Sequence, residues 1–381
     1  MTFSRRQFLL QTSAGLALLS TAKMRAFARA VDEVGLKDHF KDHFHIGTAI
    51  SSRLMTEMPA FYRDLVTREF NAITMENDMK WERLHPKEGQ WDWEIADKFV
   101  NFGEENDMYI VGHVLVWHSQ TPDWVFQDSR GKPISRDALL KRMRHQIEQM
   151  AGRYKGRVHA WDVVNEAVDE DQGWRKSPWF NIIGPEFMEH AFNYAHEVDP
   201  DAHLLYNDYN MHGREKREFV LDFIKRYKKK GIPIQGIGMQ GHVGLSFPDI
   251  REFEKSLQAY AKQGMRMHIT ELDMDVLPVA WDHIGAEIST EFAYADELDP
   301  WPKGLPEEVE QEFTDRYTAF FKLFLKYRDD IERVTFWGTG DAESWKNNFP
   351  VRGRTNYPLL FDRRYRRKPA YDAVVELTKN L

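Results

Sequence analysis

The sequence predicts an α/β fold, a (β/α)8 TIM barrel closed from parallel strands, and three observations predict it. The first is length: 381 residues suit one barrel, whose span runs from about 200 to over 400 residues. The second is alternation. Eight short apolar runs are each followed by a helical stretch, a pattern better suited to a closed barrel than to an open doubly wound sheet. The third is the placement of polar residues. They gather at the carboxyl ends of the runs, the face on which barrels carry reactive groups, whereas the strand interiors are expected to be apolar.

The candidate strands are His45–Ser51, Ala72–Glu76, Tyr109–Trp117, His159–Asn165, His203–Asn207, Gly236–His242, Met267–Glu271 and Val334–Gly338. Helical spacing is clearest in Arg214–Lys230, Asp249–Gly264, Glu307–Arg328 and Pro369–Lys379. No glycine-rich phosphate loop follows the first strand, which disfavours a dinucleotide fold. No linker, low-complexity tract or short repeat divides the chain, so residues 31–381 read as a single catalytic domain. One connection is long. From Asp275 to about Pro306 it passes Trp281, Pro300, Trp301 and Pro302 without strong periodicity. It follows the seventh strand, which places it on the reactive face, where long loops are usually functional.

Residues 1–30 are set apart from the barrel. Ser4-Arg5-Arg6-Gln7-Phe8-Leu9 precedes a short apolar stretch, Ala14-Gly15-Leu16-Ala17-Leu18-Leu19, and Ala28-Arg29-Ala30 offers a small-residue cleavage site. The paired arginines resemble a twin-arginine export signal. The expectation is a removable leader, no membrane anchor after cleavage, and a periplasmic or extracellular destination. The formal charge of -8 at pH 7 becomes -13 without the five leader cations Arg5, Arg6, Lys23, Arg25 and Arg29. A phosphate backbone would be repelled by such a body, so nucleic acid is an improbable partner. Cysteine is absent, which excludes disulfides, thiolate nucleophiles and Cys-based metal sites.

The strand ends carry the chemistry. Glu76-Asn77 closes the second run, with Lys80-Trp81 just beyond. The third gives His113, Trp117, His118 and Gln120; the fourth ends Trp161-Asp162-Val163-Val164-Asn165-Glu166. The fifth ends Tyr206-Asn207-Asp208-Tyr209, the sixth carries Gln240 and His242, and the seventh Glu271 and Asp273. Trp337 stands on the eighth, with Asp341 and Trp345 after it. Strand period two pairs Gln240 with His242 and Glu271 with Asp273, and places His113 with Trp117. Asn165 and Glu166 would face opposite ways in an ideal strand, so both reach one site only if the strand ends or bulges at Glu166.

These residues resemble a known family. Trp161-Asp162-Val163-Val164-Asn165-Glu166-Ala167 and Ile269-Thr270-Glu271-Leu272-Asp273 are similar to the two catalytic signatures of glycoside hydrolase family 10, the endo-β-1,4-xylanases. The likeness continues in order through Glu76-Asn77-Asp78-Met79-Lys80-Trp81, Gly112-His113, Val116-Trp117-His118-Ser119-Gln120, Asn207-Asp208-Tyr209-Asn210 and Gly238-Met239-Gln240-Gly241-His242. Phe336-Trp337-Gly338, Ser344-Trp345 and Pro358-Leu359-Leu360-Phe361-Asp362 complete it.

The resemblance implies a retaining mechanism on xylan or xylo-oligosaccharides, without metal or organic cofactor, by a chain expected to act as a monomer. Glu166 would be the acid/base and Glu271 the nucleophile, their carboxyl groups about 5–5.5 Å apart. Two glutamates so close cannot both ionise cheaply, so one pKa should rise and the other fall. His242, backed by Asp273, would hold the nucleophile anionic, and Asn165 would donate to the sugar 2-hydroxyl. By the same resemblance Glu76, Asn77, Lys80, His113, Trp117 and Gln240 grip sugars, Gln120 belongs to the substrate-binding set, Trp337 and Trp345 stack or cap, and Tyr209 lies near the nucleophile. Simpler readings stand beside these: Lys80 and Glu76 as a surface ion pair, His118 as a satisfied core histidine, Trp161 as core, and Trp281 and Trp301 as loop anchors. Rival functions are another retaining glycosidase such as a cellulase, a metal-dependent hydrolase using His43-Phe44-His45, and a non-catalytic polysaccharide-binding barrel.

Overall fold

A computed structural model describes residues 34–169, 173–278 and 296–380; the leader of residues 1–30 and Trp281 lie outside the described residues. The barrel strands are β1 (His45–Ile50), β2 (Ala72–Met75), β3 (Tyr109–Val116), β4 (Ala160–Asn165), β5 (His203–Asp208), β6 (Gly236–Met239), β7 (Arg266–Asp275) and β8 (Ile331–Phe336). Each pairs in parallel with the next, and β8 pairs with both β7 and β1, so the sheet has no free edge. The helices that return the chain are α1 (Ala60–Glu69), α2 (Glu94–Glu105), α3 (Arg136–Arg153), α4 (Phe187–Val198), α5 (Arg214–Lys230), α6 (Ile250–Lys262), α7 (Glu307–Lys326) and α8 (Pro369–Glu376).

Local sequence explains the helix limits. Ser135 caps α3 by accepting from the Ala138 N–H, and Asp249 caps α6 through Arg251. α5 ends on Gly231 in the left-handed region, with Lys228, Lys229 and Lys230 in its last turn, where the helix dipole favours cations. α7 has the reverse bias at its start, Glu307, Glu308 and Glu310. Its buried stripe of Phe313, Tyr317, Phe320, Phe321 and Phe324 recurs at helical spacing and packs on the sheet. Close approach is needed at one strand position in particular. A Cβ on Gly112 would lie 2.1 Å from the Trp161 ring, so glycine in β3 makes room for the fully buried indole of β4. Trp161 is core, as its simpler reading held.

Two expectations need correction. The sixth run, expected to continue to His242, stops at Met239: the chain turns at Gly241 (φ +81) and resumes as a short strand, His242–Gly244, beside Asp273–Asp275 of β7. Gln240 and His242 therefore do not share one strand face; a glycine turn brings both to the site. β7, expected to end at Glu271, runs on to Asp275 because it gains this second partner. A small hairpin, Val168–Asp169 with Gly173–Trp174, also follows β4. Of the long connection, Trp301 is half-buried against the core and its carbonyl accepts from the Tyr357 hydroxyl at 2.6 Å. It anchors the loop.

The inside of the closed sheet is less apolar than expected. Arg333 of β8 is fully buried, donating from Nε to His268 Nδ1 at 3.0 Å and from a terminal nitrogen to Thr335 at 2.6 Å. His268 Nε2 lies 3.2 Å from His203 Nδ1. A small apolar cluster, Val111, Ala160 and Leu205, accompanies them. The reason is charge accounting. A buried guanidinium needs hydrogen-bond acceptors, and His268, which receives its Nε, does so as a neutral ring. Burial and then the charge of Arg333 hold His268 well below its ordinary pKa of 6.5; burial also lowers His203 and His45.

This floor makes a pH prediction. Unfolded histidines titrate near 6.5 and the folded ones lower, so below that pH the unfolded chain binds more protons and stability is lost as pH falls. The thermal midpoint should decline between about pH 7.5 and 5.5, and His268→Gln should make that decline shallower; an unaltered slope in the variant would place the acid sensitivity elsewhere.

Candidate active site

β4 ends at Asn165, and Glu166 takes a left-handed backbone (φ +54), a conformation that costs an L residue energy and needs support. Its N–H donates to the Asn207 carbonyl at 2.9 Å. The turn brings the neighbouring Asn165 and Glu166 side chains to the same site, as the requirement that the strand end there anticipated. Glu166 Oε2 accepts from Trp117 Nε1 at 3.0 Å, and Oε1 from Gln240 at 2.9 Å and Asn165 at 3.2 Å. Burial and then the charge of Asp208 push its pKa above the usual value, with Glu271 adding to the rise.

Glu271 lies on β7 across from it. Oε1 accepts from Asn207 Nδ2 at 2.8 Å, and Oε2 lies 3.3 Å from His242 Nε2. The other nitrogen of His242 is 2.9 Å from Asp273 Oδ1, and Asp273 Oδ2 accepts from Trp345 Nε1 at 2.8 Å. Burial alone would lower the His242 pKa, but Asp273 and then Glu271 outweigh it and push it up to about 9. The ring is therefore an imidazolium donating to both carboxylates. Burial likewise favours a neutral Glu271, but the His242 hydrogen bond, the neighbouring His113 and His242 rings and Asn207 hold its pKa below the ordinary glutamate value. Asn207 also donates to Asn165 at 3.0 Å, so a short amide bridge spans the space between the two glutamates.

The remaining predicted residues assemble around this pair. Lys80 is buried, not a surface ion pair: Nζ donates to Gln120 at 2.8 Å and Asn77 at 3.1 Å and sits 5.0 Å from the Trp117 ring centre. Glu76, Glu271 and Glu166 all favour its charged form, although burial lowers its pKa overall. His113 is buried, 2.9 Å from Asp162, with its ring edge-on to Trp337 at 5.4 Å. Trp337 is itself almost wholly buried. Trp345 has one side against Phe349 and lies 5.1 Å from the His242 ring. Tyr209 is held by an arginine beyond β4. Its hydroxyl accepts from Arg175 at 2.7 Å, and Arg175 also donates to the Glu166 carbonyl at 2.8 Å. These contacts tie Tyr209 to the Glu166 backbone through Arg175.

Arg175, Asp208 and Asn207 were not among the residues singled out as the site. Asn207 and Asp208 carried a usable signal, since polar residues at the end of β5 stand in register with Asn165 and Met239. Arg175 carried none, lying in a hairpin beyond β4 with no periodic pattern. Asp208 is fully buried and paired with Lys216 at 2.7 Å. Among the described residues, no three His, Asp or Glu side chains converge as a metal-holding group. His45 opens β1 and stacks on Tyr109, the first residue of β3. This sets the His43-Phe44-His45 segment at the barrel end opposite the two glutamates.

The chain matches the Glycosyl hydrolase family 10 pattern over residues 35–377. It is 42% identical over 370 residues to endo-1,4-beta-xylanase A of Xylanibacter ruminicola, covering 97% of this chain and 99% of that one. To an endo-1,4-beta-xylanase of Geobacillus stearothermophilus it is 43% identical over 349 residues, covering 90% and 98%. It superposes on a solved family 10 endoxylanase retrieved from sugarcane soil metagenome with a TM-score of 0.86 at 53% identity, covering 91% and 99%. A mutant protein solved in complex with xylotriose gives a TM-score of 0.81 at 34% identity, covering 90% and 99%. From the segment before β1 to the end of α8, then, this chain belongs to glycosyl hydrolase family 10.

Proposed function

We propose that this protein is a retaining endo-β-1,4-xylanase, with Glu166 as acid/base and Glu271 as nucleophile. The single observation that carries the reading is the opposed electrostatics of the two carboxyls: burial and Asp208 favour a proton on Glu166, while the His242 imidazolium favours its loss from Glu271. An acid and an anion side by side are what glycosidic cleavage needs. Glu271 attacks the anomeric carbon as Glu166 gives its proton to the departing oxygen, leaving a glycosyl ester on Glu271. Glu166, now ionised, takes a proton from water, whose oxygen attacks the same carbon and frees Glu271. Two displacements return the original β configuration.

The substrate class rests on the xylanase relatives and the xylotriose complex named above, together with the cleft of Lys80, Asn77, Gln120 and Trp345. The cation and amides suit ring hydroxyls, and the indole suits a pyranose face. Asn165 and Asn207, which bridge the two glutamates by hydrogen bonds, suit a sugar 2-hydroxyl. Export as a folded protein through the Arg5-Arg6 leader fits a polymer too large to enter a cell, and the small-residue site Ala28-Arg29-Ala30 suits its removal.

Linear xylan, cellulose and short aryl glycosides should be turned over in a ratio dominated by xylan, and proton NMR of the first products should show β anomers; early α anomers would reject retention, and faster cellulose cleavage would reject the substrate. Glu166→Ala should lose about 10²- to 10⁴-fold on substrates with poor leaving groups and far less on activated aryl glycosides, as steady-state rates would reveal. Equal losses on both would remove its role as acid. Glu271→Ala should be inactive yet folded, and azide should restore turnover of an activated β-glycoside with an α-azide product, because a small anion then attacks from the vacated face.

A further inference from the structure

The hydrogen-bonded chain that holds Glu271 does not end at Asp273. Lys346, in the turn after Trp345, is buried, with Nζ 3.7 Å from Asp273 Oδ1 and 2.9 Å from Asp275 Oδ2. Asp273 Oδ1 is the same oxygen that meets His242. Asp275 Oδ1 accepts from Asn356 at 2.6 Å. Charges thus alternate in one buried line: Glu271, His242, Asp273, Lys346 and Asp275. Such a line has no exposed member to screen it, so a change at one end is felt at the other.

We propose that Lys346 is a positioning residue for the nucleophile, its ammonium group acting through Asp273 and His242 to keep Glu271 anionic, with Asp275 opposing it. The inference rests on the reading of Glu271 as nucleophile. It follows from geometry and valence. Asp273 has both oxygens engaged, one by Trp345 and one by His242 and Lys346 together. Without the lysine, Asp273 keeps only the His242 imidazolium and Asp275 only the more distant Arg354, and the next proton is shared along the line toward Glu271. The observed balance agrees: the charge of Lys346 is among the causes that keep Asp273 ionised, and Asp273 is foremost among those that keep Lys346 charged against burial. Other charges also face this line. Glu271 is met by His113 of β3, Lys80, Glu166 and the interior Arg333, Asp273 by Tyr317 of α7, and both Lys346 and Asp275 by Arg354. Those groups stay in place when Lys346 or Asp275 alone is changed, so a shift in either variant belongs to the residue replaced.

The test is the pH dependence of covalent labelling by a 2-deoxy-2-fluoro xylobioside with an activated leaving group, with the labelled peptide identified by mass spectrometry. Lys346→Met should move the acid limb of the labelling rate upward by roughly one pH unit, Lys346→Arg should restore it, and Asp275→Asn should move it downward by a smaller amount. Opposite shifts from removing a cation and an anion identify charge; a purely structural role would lower the folded fraction without moving the limb in opposite directions. If Lys346→Met does not fold, the downward shift in Asp275→Asn and the unshifted limb in Lys346→Arg still decide. Label on Glu271 with unmoved limbs overturns the role of Lys346, whereas label on another residue overturns the nucleophile assignment itself.

Discussion

A buried imidazolium between two carboxylates is the interaction on which the site depends. His242 bonds to Glu271 through one nitrogen and to Asp273 through the other, and it stays charged because both neighbours repay the cost of its burial. That charge lowers the proton affinity of one of two otherwise equivalent glutamates. Glu166, lacking such a partner and facing Asp208, retains its proton more readily. The difference arises from surroundings alone, since both residues are glutamate and both are buried.

The closed sheet makes that difference durable. β4, β5, β6 and β7 are consecutive neighbours, so Glu166, Asn207, Gln240 and Glu271 come from four adjacent strand ends and brace one another. The amide groups of Asn165, Asn207 and Gln240 fill the space between the carboxylates with hydrogen-bond donors already oriented, which need little reorganisation as charge moves during reaction. Beneath them the barrel is filled by Arg333, His268 and Asp162, together with apolar layers. The polar interior supports His113 from below through Asp162, at the cost of sensitivity to acid at the floor.

Much of this was legible in the order of residues. The eight strands fall where short apolar runs do, α5 matches its expected span in full, and α7 stops two residues sooner than its periodicity suggested. Glu166 and Glu271 stood out because the residues flanking each resemble a family's two signatures; a strand-end position alone would not have chosen them, since Asp208 at the end of β5 is paired with Lys216. The errors share a cause. Strand period two placed Gln240 with His242 on one face, but Gly241 turns the chain, and β7 runs on past Glu271 because a second strand joins it. Neither pairing is a property of the segment itself.

Residue types and their spacing by themselves pointed to the barrel and to polar residues gathered at its strand ends, because apolar period and strand-end chemistry are local; the resemblance singled out the two carboxyl groups among them. Tertiary structure alone sets the opposed proton affinities of the two carboxyls, on which the proposed choice of acid rests. That assignment depends on Asp208 lying near one glutamate and His242 touching the other, and on Arg175 and Lys346 reaching the site from loops with no pattern of their own. A pKa is set by neighbours in space, and closure of the sheet is what makes distant strand ends neighbours.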